Sequence, residues 1–303
     1  MKYVLILSML ALCFGVTGVS YRFINQVEQS KALEKNDYIQ NSVTKEIIIQ
    51  SIDRLSLNLI SSDIKVIPTD KLSDSIIIEY KTAAFKNQPY EIIYPVVEEI
   101  VSNDLLEIKF KESDKIKKLN NSFNLKIRNN FPFFGISNIH IDKEVSLYVP
   151  SSKIFKLLKF MVISGDIKLN DVQVSDLEIQ NVSGDIYLNN MQTSVLQLET
   201  TSGDVVLEKM DPLLRGKIET ISGDINFNSN ITLSKSLNFN SISGDINVSN
   251  AGLLEVNLLA NTMSGDIKMD SVEYEKEIKL ISANNDKNVD INTISGDIVI
   301  KSN

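Results

Sequence analysis

The tripeptide Ser-Gly-Asp occurs seven times in the second half of this 303-residue chain, and that repetition constrains the fold more than any other feature. Its glycines are Gly165, Gly184, Gly203, Gly223, Gly244, Gly265 and Gly296, spaced by 19, 19, 20, 21, 21 and 31 residues. Seven of the 12 glycines in the chain serve this one motif. A unit of about 20 residues cannot bury an apolar face alone, so such units become stable only when stacked on copies of themselves.

The columns around each glycine describe strands. Two residues after it stand Ile167, Ile186, Val205, Ile225, Ile246, Ile267 and Ile298. Four after it stand Leu169, Leu188, Leu207, Phe227, Val248, Met269 and Ile300. Two before it stand Ile163, Val182, Thr201, Ile221, Ile242, Met263 and Ile294. Alternate residues of a strand share a face, so these columns and the glycines are expected to point inward together. The residue three after each glycine is mixed, from Lys168 and Tyr187 to Asn226 and Val299, as a solvent face would be.

A second strand precedes each motif, with Phe160, Ile179, Leu198, Ile218, Phe239, Ala260 and Ile291 five residues before the glycine. Between it and the motif lie small polar residues such as Glu219-Thr220 and Asn261-Thr262. The apolar alternation slips there by one residue, and a slip of that kind predicts a corner. Each coil then has two short strands and two corners, and like positions stack about 4.8 Å apart. The fold class is all-β, a β-solenoid of two-strand coils. An inward glycine leaves room for the opposite wall or permits a bend in the strand.

In a stack of this kind Asp166, Asp185, Asp204, Asp224, Asp245, Asp266 and Asp297 form one row. Neighbouring carboxylates at that spacing repel by roughly 1 kcal/mol in water. Two arrangements would offset the repulsion. Nearby backbone N–H groups can donate to the carboxylates, or a cation such as Ca²⁺ can bind between them. The first is favoured, because each coil offers few carboxylates and the glycine-rich Ca²⁺ nonapeptide is absent.

The N-terminus carries an address. Tyr3 to Tyr21 contains no charged residue, with Lys2 before it and Arg22 after it. Nineteen such residues are long enough to span a bilayer as a helix. Residues 1–22 are therefore read as a signal anchor that holds the protein to the membrane. The alternative is a signal peptide cut near Ser20, which would release a secreted or periplasmic protein. A lipoprotein cysteine at Cys13 fits less well, since Leu12 and Phe14 flank it. Residues 23–45 are polar and read as a stalk. Residues 46–150 read as a degenerate β-repeat region that caps the regular repeats of 151–303. In that region Ile60-Ser61-Ser62-Asp63-Ile64-Lys65-Val66 shows the repeat pattern with Ser62 in the glycine position.

These residues carry a family resemblance. The serial Ile-Ser-Gly-Asp-Ile motif, the Ser-Ser-Asp-Ile-Lys-Val opening and Val145-Ser-Leu-Tyr-Val-Pro150 before the repeats resemble a bacterial putative-adhesin family of unknown function with β-strand repeats. The resemblance spans roughly residues 46–303. It implies a protein of the cell envelope and brings no catalytic residues. Related modules resemble accessory parts of envelope-stress systems.

Composition excludes several chemistries. The single His140 and single Cys13 cannot build a two-imidazole site, a thiolate metal site or a disulfide framework. No phosphate loop is present, and no serine has an evident base partner. Residues 151–303 hold 13 Lys/Arg and 21 Asp/Glu, so the excess negative charge of the chain lies there. An acidic half of this kind disfavours nucleic acid. Paired carboxylates also serve glycoside hydrolysis, but that needs two acids in different environments within a cleft, and here each coil repeats one aspartate in one context. The long interval from Gly265 to Gly296, with Glu273, Glu275, Glu277, Asp286 and Asp290, reads as a solvated loop or an irregular coil.

No cofactor, metal or catalytic residue is expected. The leading function is non-enzymatic binding or adhesion in the bacterial envelope, toward another surface protein or a glycan. A regulatory accessory of a membrane partner is the second reading, and a carbohydrate-active enzyme a remote third. The last repeat ends at Ile300. Either residues 272–294 fold back across that end of the stack, or the open end pairs with another chain; self-association through it is expected. An intact-mass measurement tests the leader: a mass including residues 1–20 is expected for the anchor, and their loss identifies a cleaved signal peptide.

Overall fold

A computed structural model describes residues 38–85, 88–94, 96–111, 144–210, 213–229, 236–249, 256–282 and 287–302. The leader at 3–21 lies outside these residues, as do Cys13 and His140. No helix among the described residues is long and apolar enough to cross a membrane. The chain divides into two compact units. One comprises residues 41–82, 95–111 and 142–303, and holds the repeats. The other comprises residues 1–40, 83–94 and 112–141. Its described part includes antiparallel pairing of Ala83 with Tyr94 and Ala84 with Ile92.

Every regular element among the described residues is a strand. Before the repeats run β1 (Tyr38–Ile48), β2 (Arg54–Ser61), β3 (Asp63–Thr69), β4 (Ser75–Phe85), β5 (Gln88–Tyr94), β6 (Val96–Ser102), β7 (Leu105–Lys111) and β8 (Glu144–Pro150). The repeats begin with β9 (Phe155–Ser164), β10 (Ile167–Asn170), β11 (Gln173–Ser183), β12 (Ile186–Ser202), β13 (Val205–Met210), β14 (Arg215–Ser222) and β15 (Ile225–Asn228). They continue with β16 (Ser236–Ser243), β17 (Ile246–Ser249), β18 (Asn257–Ser264), β19 (Ile267–Met269), β20 (Val272–Tyr274), β21 (Glu277–Leu280), β22 (Asn288–Ser295) and β23 (Ile298–Lys301). The end of the expected polar stalk is thus strand from Tyr38 onward.

Strands before the glycines form a leading sheet and strands after them a trailing sheet. Pairing between successive coils is parallel and in register: Ile179 sits beside Leu198, and Ile186 beside Val205. The degenerate opening joins the same stack. Leu57 in β2 lies beside Phe160, and Ile64 in β3 beside Ile167. β7 and β8 pair with the other side of that coil, Leu57 with Ile108 and Ile64 with Val145. Residues 112–143 enter the chain between β7 and β8, where the other coils have Ser-Gly-Asp. Antiparallel strands flank both ends of the stack: β6 on β7, β4 on β8, β21 on β18 and β20 on β19. A strand so covered offers its neighbour no open edge.

The core lies between the two sheets. The columns two and four after the glycine are buried in every coil, as is the column five before it. Phe227 and Phe239 meet edge to face across it, with ring centroids 5.2 Å apart. Each buried Ile or Leu contributes about 1.5–3 kcal/mol relative to exposure, and repetition sums this along the stack.

The corner is not where the apolar slip suggested. The leading strand runs unbroken to the serine, so its alternation puts the residue three before the glycine inside: Val162, Asn181, Thr200, Thr220, Ser241, Thr262 and Thr293 are all buried. The column two before the glycine, expected inside, faces outward. Ile163 is 54% exposed, Val182 44%, Ile294 48% and Met263 76%, while Thr201, Ile221 and Ile242 are half-buried. Glycine carbonyls accept the inward side chains of Asn181, Thr262 and Thr293, whereas the hydroxyls of Thr200, Thr220 and Ser241 have no bonded partner among the described residues. The Asn181 amide donates to the carbonyls of Gly165 and Gly184 at 3.2 and 2.9 Å, and Thr262 donates to that of Gly296 at 3.1 Å.

The glycines themselves sit in the corner, not within a strand. Gly203 has φ +136°, and a Cβ there would fall well inside 3 Å of the Gly184 carbonyl oxygen. The constraint is therefore the neighbouring coil and not the opposite wall. Ser62 opens the row, with no glycine of the row before it, and so escapes the constraint.

The stacking order also departs from chain order. The coil of Gly296 does not lie at the end of the stack. β22 pairs with β16 on one side and β18 on the other, and β23 with β17 and β19. The sequence-last repeat is thus an interior coil, and the open end expected at Ile300 is absent. The end coil is instead that of Gly265, flanked by β20 and β21. Glu273 and Glu277 accordingly belong to short antiparallel strands and not to a loop or an irregular coil. Gly203→Ala is expected to cost about 3 kcal/mol, read as a lowered urea midpoint, whereas Ser62→Gly should stay within about 1 kcal/mol.

Candidate functional site

The Ser-Gly-Asp corner brings three backbone N–H groups to one place, and each needs an acceptor. The glycine N–H donates to the serine carbonyl of the next coil, as Gly184 does to Ser202 at 3.1 Å. The Ile or Val N–H donates to the aspartate carbonyl of the next coil, as Ile186 does to Asp204 at 2.8 Å. The aspartate N–H points the other way, toward the preceding coil, where the glycine carbonyl is packed against the next glycine. A side chain takes the place of the missing carbonyl. Asp166 N–H donates to Asp63 Oδ1 at 2.8 Å, Asp185 to Asp166 at 3.0 Å, Asp204 to Asp185 at 2.8 Å and Asp224 to Asp204 at 2.9 Å. Asp245 donates to Asp224, Asp297 to Asp245 and Asp266 to Asp297, each at 2.8 Å.

All seven expected aspartates therefore meet in one ladder, in the order 166, 185, 204, 224, 245, 297, 266. The ladder begins one rung earlier, at Asp63. That residue was missing from the expected row, although Ser61-Ser62-Asp63-Ile64 announces it by the same spacing. One oxygen of each carboxylate from Asp63 to Asp297 accepts a backbone N–H. The second oxygens differ. Asp166 Oδ2 faces Lys168 Nζ at 3.5 Å, and Asp185 Oδ2 accepts the Tyr187 hydroxyl at 3.1 Å. Among the described residues, no side chain bonds the second oxygens of Asp204, Asp224, Asp245, Asp297 or Asp266. Tyr187 registers the charge of the row. Its phenol is held above the ordinary value, first by its hydrogen bond to Asp185, then by burial and the charges of Asp185, Asp166 and Asp204.

Beside the ladder runs the outward column two residues before each glycine. In spatial order it reads Ile60, Ile163, Val182, Thr201, Ile221, Ile242, Ile294 and Met263. The sequence pattern placed the repeat members of this column inside, because their polar inner neighbours resemble a corner. The leading sheet adds an amide row further from the corner: Asn292 donates to Asn240 at 3.1 Å, and Asn261 to Asn292 at 3.0 Å. At the end coil the Lys276 ammonium donates to the Gly265 carbonyl.

Chemically this is a repeating face in which acid and aliphatic rows lie side by side. No three His, Cys, Asp or Glu side chains among the described residues group to hold a metal ion. From Asp63 to Asp297 one oxygen of each carboxylate already accepts a backbone N–H, which leaves the second oxygens as the freer ligands for a cation between rungs. The seven glycines occupy the corners and offer no side chain to a ligand. Asp290 lies on β22, and Asp286 and His140 lie outside the described residues.

The Toastrack DUF4097 family model matches residues 52–212 and again 158–301. No curated protein matches the chain. Among solved structures, a putative adhesin from Bacteroides fragilis is similar at 9% identity, covering 86% of this chain and 96% of its own, with a TM-score of 0.40. A putative adhesin from Parabacteroides distasonis is similar at 16% identity, covering 86% and 97%, with a TM-score of 0.40. A putative lipid binding protein from the same organism is similar at 17% identity, covering 85% and 96%, with a TM-score of 0.40. Asp224→Ala leaves the Asp245 N–H without its acceptor and is expected to cost about 1 kcal/mol, with faster amide exchange at Asp245. Asp224→Asn keeps a carbonyl oxygen there and should preserve most of that protection.

Proposed function

The chain belongs to the Toastrack DUF4097 family, and from that premise we propose that it is a non-enzymatic binding protein of the bacterial cell envelope. Residues 3–21 hold it to the membrane, and the β-solenoid displays a repetitive acidic face to another surface protein or a glycan. The observation that carries this reading is the pair of rows at the corner, acid beside aliphatic, continued through coil after coil. Apolar side chains such as Ile163 and Met263 gain nothing for the fold by facing water. A row in which Ile163, Val182, Ile294 and Met263 are exposed and Ile221 and Ile242 half-buried suits a partner that covers it.

The repetition favours binding over catalysis. Catalysis by carboxylates needs two of them in unlike surroundings, whereas these carry the same backbone bond from rung to rung. A repeated face suits an extended partner, because each coil adds the same small contact and the contacts sum along the stack.

Protease treatment of intact cells tests the reading, with an epitope tag after Asn303 and a periplasmic control protein. Loss of the tag while the control survives is the expected result and identifies a surface protein. Survival of the tag until the envelope is broken would overturn adhesion and point to a partner inside the envelope.

A further inference from the structure

We propose that the coil carrying Gly296 is an exchangeable insert, and that a second copy of this chain can supply it. Its place in the stack carries the argument. β22 and β23 lie between the coils of Gly244 and Gly265, which are consecutive in the sequence. The same register runs through all three. Phe239 faces Ile291, which faces Ala260, and Ile246 faces Ile298, which faces Ile267. If the insert leaves, its two neighbours meet residue for residue in the register used by the other coils. Two coil interfaces are lost and one is regained.

The connections permit both arrangements. Residues 229–235, seven in all, carry the chain from β15 to β16, one coil further along the stack. Residues 250–256, also seven, carry it from β17 to β18, two coils further. A seven-residue link reaches up to about 23 Å when extended, against about 10 Å for two strand spacings. The insert is tied to the preceding β21 by residues 281–287. The coils of Gly184, Gly203 and Gly223 are threaded in sequence between their spatial neighbours and cannot leave alone, whereas the opening coil of β2 and β3 lies between the coils of β7–β8 and β9–β10 and shares the insert's arrangement at the other end of the stack.

Every bond that holds the insert is one a second copy would make equally well. Asp297 N–H donates to Asp245, and Asp266 N–H to Asp297. Asn292 bridges Asn240 and Asn261. Ser302 donates its N–H and hydroxyl to the two carboxylate oxygens of Asp270, at 2.9 and 2.7 Å, tying the strand ends together. Reciprocal exchange therefore keeps the full set of contacts in both chains, and the pair closes with two-fold symmetry.

Cross-linking between distinguishable full-length copies tests this, with Cys13→Ser in each. One copy carries Asn240→Cys and the other Asn292→Cys; neighbours at about 4.8 Å lie within disulfide reach. A single chain with both substitutions reports the geometry within one molecule. A mixture of Glu199→Cys and Glu219→Cys copies reports chance contact between interior coils that cannot exchange. The expected result is a disulfide-linked pair of the first two copies that increases with concentration, with none from the interior mixture. The proposal is overturned if the doubly substituted chain closes internally while the mixed copies never link. Equal linking in the interior mixture also overturns it. Failure of the doubly substituted chain to close does so too, because Asn240 and Asn292 would then not be neighbours.

Discussion

At each Ser-Gly-Asp corner the carbonyl of one glycine occupies the space that a Cβ on the next glycine would need. That close approach sets the rest. It lets the coils stack at strand spacing through a sharp bend, and it demands positive φ at every regular corner, from +120° at Gly184 to +153° at Gly296. It also removes the glycine carbonyl as an acceptor for the aspartate N–H of the next coil. The aspartate side chain supplies that acceptor, so glycine and aspartate are two halves of one requirement. The ladder of carboxylates arises from backbone hydrogen bonding, and the acidic face is its by-product.

A face produced in this way is open to use. One oxygen of each carboxylate from Asp63 to Asp297 is committed to the fold, while five rungs from Asp204 to Asp266 leave the second oxygen without a bonded side chain among the described residues. The aliphatic row beside them has no comparable structural reason to be apolar. Its inner neighbours at Thr200, Thr220 and Ser241 are the polar ones, buried beneath the corner with hydroxyls that no group among the described residues bonds. Polar residues inside and aliphatic residues outside invert the usual order, and the inversion is confined to the columns flanking the corner.

Stacking identical coils has a second consequence. When all coils share one register, chain order no longer dictates spatial order. The coil of Gly296 takes a place between two coils that precede it, and Asp245, Asp297 and Asp266 bond in that sequence without a change in geometry. Each end of the stack is then finished by antiparallel strands, which differ from the coils in direction and so cannot propagate them.

The repeat by itself determined the coil, its period, the inward Ile and Leu columns after the glycine and the aspartate row, because each is enforced by contact with an identical neighbour at the same position. Ser62 and Asp63 were legible for the same reason. Tertiary structure alone decided where the chain turns, since the small polar residues at 181, 262 and 293 suit either a corner or a buried site beneath glycine carbonyls, and only the stacked carbonyls distinguish the two. It also decided the order of the coils. Seven motifs with one register are interchangeable as sequence, and nothing local in β22 or β23 tells which neighbours they will meet; that depends on the lengths of residues 250–256 and 281–287 and on which strands cover the end.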